Sequence, residues 1–377
     1  MSKFRWNPYA FLRDNELEEM FETHFNSGSK ILLIMGKGFD VRMNIFLKRL
    51  VSKKSNNNIT CLLINFDEGK HSSSHQYKYL VDENIAELDT LLPKTQIINS
   101  PIHLWKQTGR KNRRVGDRRA ANLIDDLKVE DYTDIIVDIS ALPRGIYFSL
   151  LGKLLTYIDR MPPSNSIPNL MVAVAENPEL DMNIQEEGVD EDLNFLHGFG
   201  GEIDLSSSEG TEPLIWLPIL GEDKLLHLQK AYAHLKPGEI CPILPFPSRN
   251  PRRPDALTMT YHELLFDELR IEPQNIMYVP EQNPFEAYKI LYNTIENYHI
   301  SLKALNGCKA VLSTFSSKLL SIGTLLAAYE LKEKEIGVGV LNVDSHGYKI
   351  SPDADLKRLK AESKLFVTWL TGKPYSV

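Results

Sequence analysis

"VDISALPRGIYFSLL", residues 137–151, decides how the chain is read. An apolar β-like run carrying one aspartate, Asp138, breaks into Ser-Ala-Leu-Pro-Arg-Gly, and an apolar helical pattern then begins. After Gly145, the positions Phe148, Leu151, Leu155 and Ile158 recur at helical spacing, which predicts a helix with a buried stripe. A strand, a polar turn and a helix in that order form the repeating unit of a parallel α/β sheet. Residues 310–331, "AVLSTFSSKLLSIGTLLAAYEL", follow a similar plan. Two such turns raise the question of whether they serve one binding site.

Working outward, short apolar runs alternate with helical patterns along the whole chain. Strands are predicted at residues 30–36, 60–66, 134–140 and 169–175, and again at 214–220, 240–246, 275–280, 309–315 and 337–343. Their near-continuous leucine and β-branched content suits strands covered on both faces. Between the two series, residues 175–213 are acidic and then rich in Gly and Ser, and they read as a mobile loop or connection. The expected fold is therefore α/β. It has two Rossmann-like halves with mainly parallel sheets, joined by an acidic and Gly/Ser-rich connection. The boundaries expected are an N-terminal segment at 1–29, a first domain at 30–200 and a second at 201–377.

Composition narrows the class. With 377 residues, 42% apolar and 25% charged, the chain reads as globular and large enough for two cores. A formal charge of −7 argues against a general nucleic-acid coat, although local basic patches are compatible with it. No apolar run reaches the roughly 18 to 20 residues of a membrane span, and the charged N-terminus lacks a signal core. Three scattered cysteines, Cys61, Cys241 and Cys308, fit buried, reduced thiols. A cytoplasmic location, no membrane partner and no cofactor are expected, and the oligomeric state is left open.

Candidate chemistry gathers after the strands, where ligands collect in open parallel sheets. In the turn 140–145, Ser140 can hydrogen-bond locally and Pro143 suits the first helical position. Arg144 is the odd residue, because a helix N-terminus carries partial positive charge and disfavours a cation without an anion beside it. Backbone amides plus one arginine make a phosphate cradle, whereas a capped helix with a solvated arginine is the bland account. The second turn offers Ser313, Thr314, Ser316, Ser317 and Lys318, which fit either an anion cradle or ordinary capping.

The first strand runs into "MGKGFDVRM", with Gly36, Lys37, Gly38, Asp40 and Arg42. Paired glycines allow close backbone approach to a ligand, but Val41 stands where a dinucleotide fingerprint needs its third glycine. Two basic clusters, Arg110 to Arg119 and Arg249, Arg252 and Arg253, are either solvated faces or phosphate contacts. His71 and His75 in a serine-rich loop make a poor metal case, and no metal is expected.

These turns resemble those of CARF and SAVED modules, the Rossmann-like sensors of bacterial antiviral systems that bind cyclic or linear oligonucleotides. "MGKGFD" is similar to their first turn; "DISALPRG", through Asp138, Ser140 and Gly145, to the later one; "LSTFSSK" to its counterpart. Leu142 and Pro143 replace the glycines usual in the later turn. The resemblance implies a sensor for an anionic nucleotide or oligonucleotide signal, acting through a protein partner in antiviral defence. Gly36, Lys37, Gly38, Asp40, Arg42, Asp138, Ser140, Arg144, Arg252, Arg253, Ser316, Ser317 and Lys318 would bind it. The rival expectations are a nucleotide-processing enzyme using Asp138 or Asp40, and a scaffold subunit docking through "FRWNPYAF" (4–11).

Overall fold

The computed structural model describes residues 3–25, 28–53, 58–67, 69, 72–108, 111–162, 166–190, 193–200, 203 and 212–376. The chain divides into two compact units, Trp6–Gly188 with Ser345–Val377 (the N-terminal unit) and Val189–Asp344 with Met1–Arg5 (the central unit).

In the N-terminal unit, five parallel strands, Ile31–Gly36, Ile59–Asp67, Ile97–His103, Asp134–Asp138 and Asn169–Glu176, carry the sheet. Taken in chain order, they lie side by side as 3-2-1-4-5. Ile31–Gly36 and Asp134–Asp138 are buried throughout, as central strands covered on both faces must be. The chain reverses its winding direction between these two strands, so the turns after them flank the switch point, where open α/β sheets take ligands. Strands Lys364–Trp369 and then Ala10–Arg13 extend the sheet antiparallel beyond Asn169–Glu176.

The central unit repeats the plan. Leu214–Ile219, Ile243–Pro245, Met277–Val279, Lys309–Thr314 and Val338–Asn342 are parallel and again ordered 3-2-1-4-5. Asn194–Phe195 adds a short antiparallel edge. Both halves are thus doubly wound α/β units with mainly parallel sheets, as the strand spacing predicts.

Three expectations are corrected. The boundary at 201–377 does not hold, because Lys364–Trp369 hydrogen-bonds along Asn169–Glu176 and completes the sheet of the N-terminal unit. The connection 175–213 is in good part ordered: Pro178–Asn183 is a helix capped by Asn177, and Ile184–Glu187 pairs with Gly347–Ile350. Residues 191, 192, 201, 202 and 204–211 of it lie outside the described residues. Residues 1–29 are not a separate segment either, nor is 4–11 a free docking arm. Phe4 sets its ring edge-on to Tyr288 and Tyr292 at 5.9 and 5.4 Å within the central unit. Trp6 is fully buried in the N-terminal unit, where its indole N–H donates to the Leu370 carbonyl at 2.9 Å.

Candidate functional site

At the switch point of the N-terminal unit the two turns touch. A Cβ on Gly36 would lie 2.7 Å from Leu142 Cδ2 and 2.9 Å from the Ala141 carbonyl oxygen; one on Gly38 would lie 3.3 Å from that oxygen. The close approach that these glycines permit is therefore used by the neighbouring turn. Asp138 shapes that turn: its Oδ1 accepts the Ser140 N–H at 2.9 Å, and Ser140 Oγ accepts the Ala175 N–H at 2.9 Å. Both side chains are buried. Asp138 also lies beside Cys61, whose thiol is pushed up to about 12, first by burial and then by that charge.

Asp40 and Arg42, both candidates for ligand binding, meet each other in an internal ion network. Arg42 donates from Nε to Asp40 Oδ1 at 2.9 Å and from Nη2 to Asp40 Oδ2 at 2.7 Å, and it reaches Asp181 Oδ1 at 2.8 Å. Burial alone would lower the guanidinium's affinity for its proton, but Asp181 and Asp40 outweigh that and hold it charged. Two carboxylates thus already neutralise a cation expected to meet a ligand. Asn84 fixes the same loop by donating to the carbonyls of Gly38 and Asp40, both at 2.9 Å.

Helix Arg144–Asp159 starts at this switch point one residue later than expected, with Pro143 in the cap position, where its own side chain makes no capping hydrogen bond. Arg144, half-buried, occupies the first helical position, and Lys37, also half-buried, sits between the two glycines of the abutting turn. In the central unit the corresponding helix, Lys318–Glu333, is capped by its own Ser317, whose Oγ accepts the Leu320 N–H at 3.4 Å. There Ser313 Oγ accepts the Trp216 indole N–H at 3.1 Å. Of these two helix starts, only the one at Lys318 is capped by the side chain of its own cap residue.

The central unit instead assembles a polar cluster from the ends of four parallel strands: Glu222, Arg253, Glu281 and Ser316. Arg253 Nε and Nη2 donate to Glu222 Oε1 and Oε2 at 2.7 and 2.6 Å, Nη1 donates to Glu281, and Nη2 also reaches Ser316 Oγ at 3.3 Å. Arg253 and Ser316, both sequence candidates, are brought together; exposed Arg252 is left outside. Glu222 and Glu281 are not among the candidates drawn from the sequence. An acidic residue directly after Gly221, at the end of the first strand of its half, was the available signal.

Tyr261 pins the Glu222 turn. Its hydroxyl donates to the Gly221 carbonyl at 2.5 Å and accepts the Lys224 N–H at 2.9 Å, while burial pushes its pKa up to about 12.

Burial would raise the carboxyl pKa of Glu222, but hydrogen bonds and charge from Arg253 outweigh it and hold it below the ordinary carboxylate range. A depressed folded-state pKa means that the stabilisation is complete above the unfolded value of about 4.3 and is lost as pH falls through the folded value. Urea melts from pH 7 down to about pH 3 should therefore show Glu222→Gln less stable than the parent at neutrality, with the gap closing in acid. A gap independent of pH would refute the ion-pair account.

Burial raises the other thiols as well, Cys308 to about 11, so none of the three is poised as a nucleophile. No group of three metal-ligating side chains exists among the described residues, and Arg110 and His71 lie outside them. No described helix is long and apolar enough to cross a membrane.

No family model matches the chain, and no curated protein matches its sequence. Among solved structures it is similar to a protein assigned as a universal stress protein in Pseudomonas aeruginosa (12% identity, 89% of this chain and 97% of that one, TM-score 0.24). It is also similar to a universal stress protein of Archaeoglobus fulgidus (10%, 86% and 97%, TM-score 0.23). A third is assigned as a UDP-N-acetylglucosamine 2-epimerase in Listeria monocytogenes (11%, 78% and 75%, TM-score 0.24). Scores at this level carry no inference about what the chain does.

Proposed function

We propose that the chain is a receptor for an anionic nucleotide or oligonucleotide signal, held at the switch point of the N-terminal unit. One observation carries the reading: a 16-residue helix begins there behind Pro143, with Arg144 in its first turn. Lys37 stands in the turn that touches it. The helix start and both cationic residues thus lie at the end of the sheet where doubly wound folds take phosphates. Asp138 and Ser140 position the turn, and Gly36 and Gly38 let it close. The resemblance of the turns to CARF and SAVED modules extends the proposal to antiviral signalling with output through a protein partner.

Isothermal titration with a panel of mononucleotides and cyclic oligonucleotides tests this. Arg144→Ala should weaken binding of the responding ligand about tenfold or more, in keeping with loss of a charge-assisted contact worth roughly 1.5–3 kcal/mol. Its melting temperature should stay near that of the parent, since the side chain is partly solvated. A folded parent that binds nothing in the panel overturns the proposal.

A second reading, a nucleotide-processing enzyme, is favoured by the paired carboxylates Glu222 and Glu281 at the strand ends of the central unit. Turnover of a nucleotide mixture that is lost in Glu281→Gln would select it.

A further inference from the structure

The corner where strands Ile243–Pro245 and Met277–Val279 end has a surface that neither of those readings uses. Phe246 follows the first strand and Tyr278 lies in the second, with rings 6.1 Å apart at 77°. They are 47% and 52% exposed. Tyr278 pairs with Leu244, and Phe246, two residues further on, stands on the same side of the sheet by strand alternation. The Phe246 N–H donates to the Val279 carbonyl at 2.7 Å, which fixes the ring position relative to the edge strand.

Arg249 and Arg252 belong to the loop that leaves this corner, and both are exposed. The Arg249 N–H donates to Glu281 Oε2 at 3.2 Å and the Arg252 N–H to Asn250 Oδ1 at 3.1 Å. Neither guanidinium has an acceptor among the described residues. Glu222 and Glu281 are both engaged by Arg253, which leaves Asp255 as the exposed acid of the segment. In a chain of net charge −7, two unneutralised arginines beside two solvated rings form a local inversion of surface character.

We propose that this corner binds single-stranded nucleic acid, with bases stacked on Phe246 and Tyr278 and phosphates paired with Arg249 and Arg252. Every base has a π-face, and arginine's planar fork matches phosphate oxygens, so rings and guanidinium groups together fit an unpaired strand. A duplex keeps its bases stacked on each other and offers the rings nothing. The surface belongs to the central unit and stands independently of the anion site at Arg144.

Fluorescence anisotropy of the full chain with a labelled RNA strand of about 12 nucleotides, and with DNA of the same sequence, tests this. The parent should bind, more weakly as salt rises from about 50 to 200 mM. Phe246→Leu and Tyr278→Leu keep apolar volume but remove the ring, and each should weaken binding roughly 5- to 150-fold. Arg249→Ala with Arg252→Ala should make the slope of log affinity against log salt shallower by about 1.4. Melting curves matching the parent exclude unfolding as the cause. The inference is overturned if the folded parent binds no strand, or binds the blunt duplex as tightly. It also fails if the four substitutions leave binding unchanged, or if binding is lost only in Arg144→Ala.

Discussion

Gly221→Ala should lower the melting temperature of the transition containing the central unit by about 6 to 12 °C, corresponding to about 3 kcal/mol in a unit of this size. A Cβ there would lie 1.9 Å from the Phe315 carbonyl oxygen and 2.8 Å from its carbon. Both atoms are backbone, so no rotamer change relieves the overlap. Nor can either turn back away easily. The Phe315 N–H is bonded to Ile219 at 2.9 Å, while Tyr261 holds the other side through the Gly221 carbonyl. Gly238→Ala is the control: the nearest neighbour of its Cβ would be the Leu214 oxygen at 3.7 Å, an ordinary contact. That variant should stay within about 0.5–1 kcal/mol of the parent, while a Gly221→Ala protein melting with the parent would refute the packing at this switch point.

Arg253→Ala should cost about 3–5 kcal/mol at neutral pH, because it leaves a buried carboxylate without its counter-ion. The Glu281 side chain is 6% exposed. In the parent, Arg253 also holds the Glu222 carboxyl below the ordinary carboxylate range, and that stabilisation is complete above the unfolded value and lost as pH falls through the folded one. The deficit against the parent should therefore be largest near pH 7 and shrink toward about pH 3. Adding Glu281→Gln removes the orphaned charge and should recover much of the loss. Urea denaturation of the single and double variants at both pH values checks this; an equal deficit in both variants at both pH values would show that only lost packing matters.

The central strands were legible because burial on both faces writes itself as unbroken apolar runs, as in Ile31–Gly36 and Lys309–Thr314. The edges were not. Ile97–His103 is largely exposed or half-exposed, and its sequence "IINSPIH" lacks a strand's usual signature. Lys364–Trp369 and Ala10–Arg13 find their partners across most of the chain, with no local turn to announce the pairing.

The candidate site divides in the same way. The glycines and the Asp138 turn were visible as local geometry, but whether a ligand or Leu142 fills the space beside Gly36 depends on tertiary packing. Adjacent arginines look alike in sequence, yet Arg253 turns inward to two carboxylates while Arg252 remains in solvent. Glu222 and Glu281 acquire their meaning only from strand ends brought side by side.

The late strand Lys364–Trp369 has a consequence for the order of biosynthesis. Chain emerges N-terminus first, and units generally fold as they are completed. All five parallel strands of the central unit have been made before residue 364 is added. Asn169–Glu176, made much earlier, must wait for that same addition to gain its antiparallel partner. Until then, one edge of the earlier sheet lacks its native cover and is open to pairing with other chains. The sheet begun first is thus the one finished last, and nascent chains stalled before residue 364 should be the aggregation-prone ones.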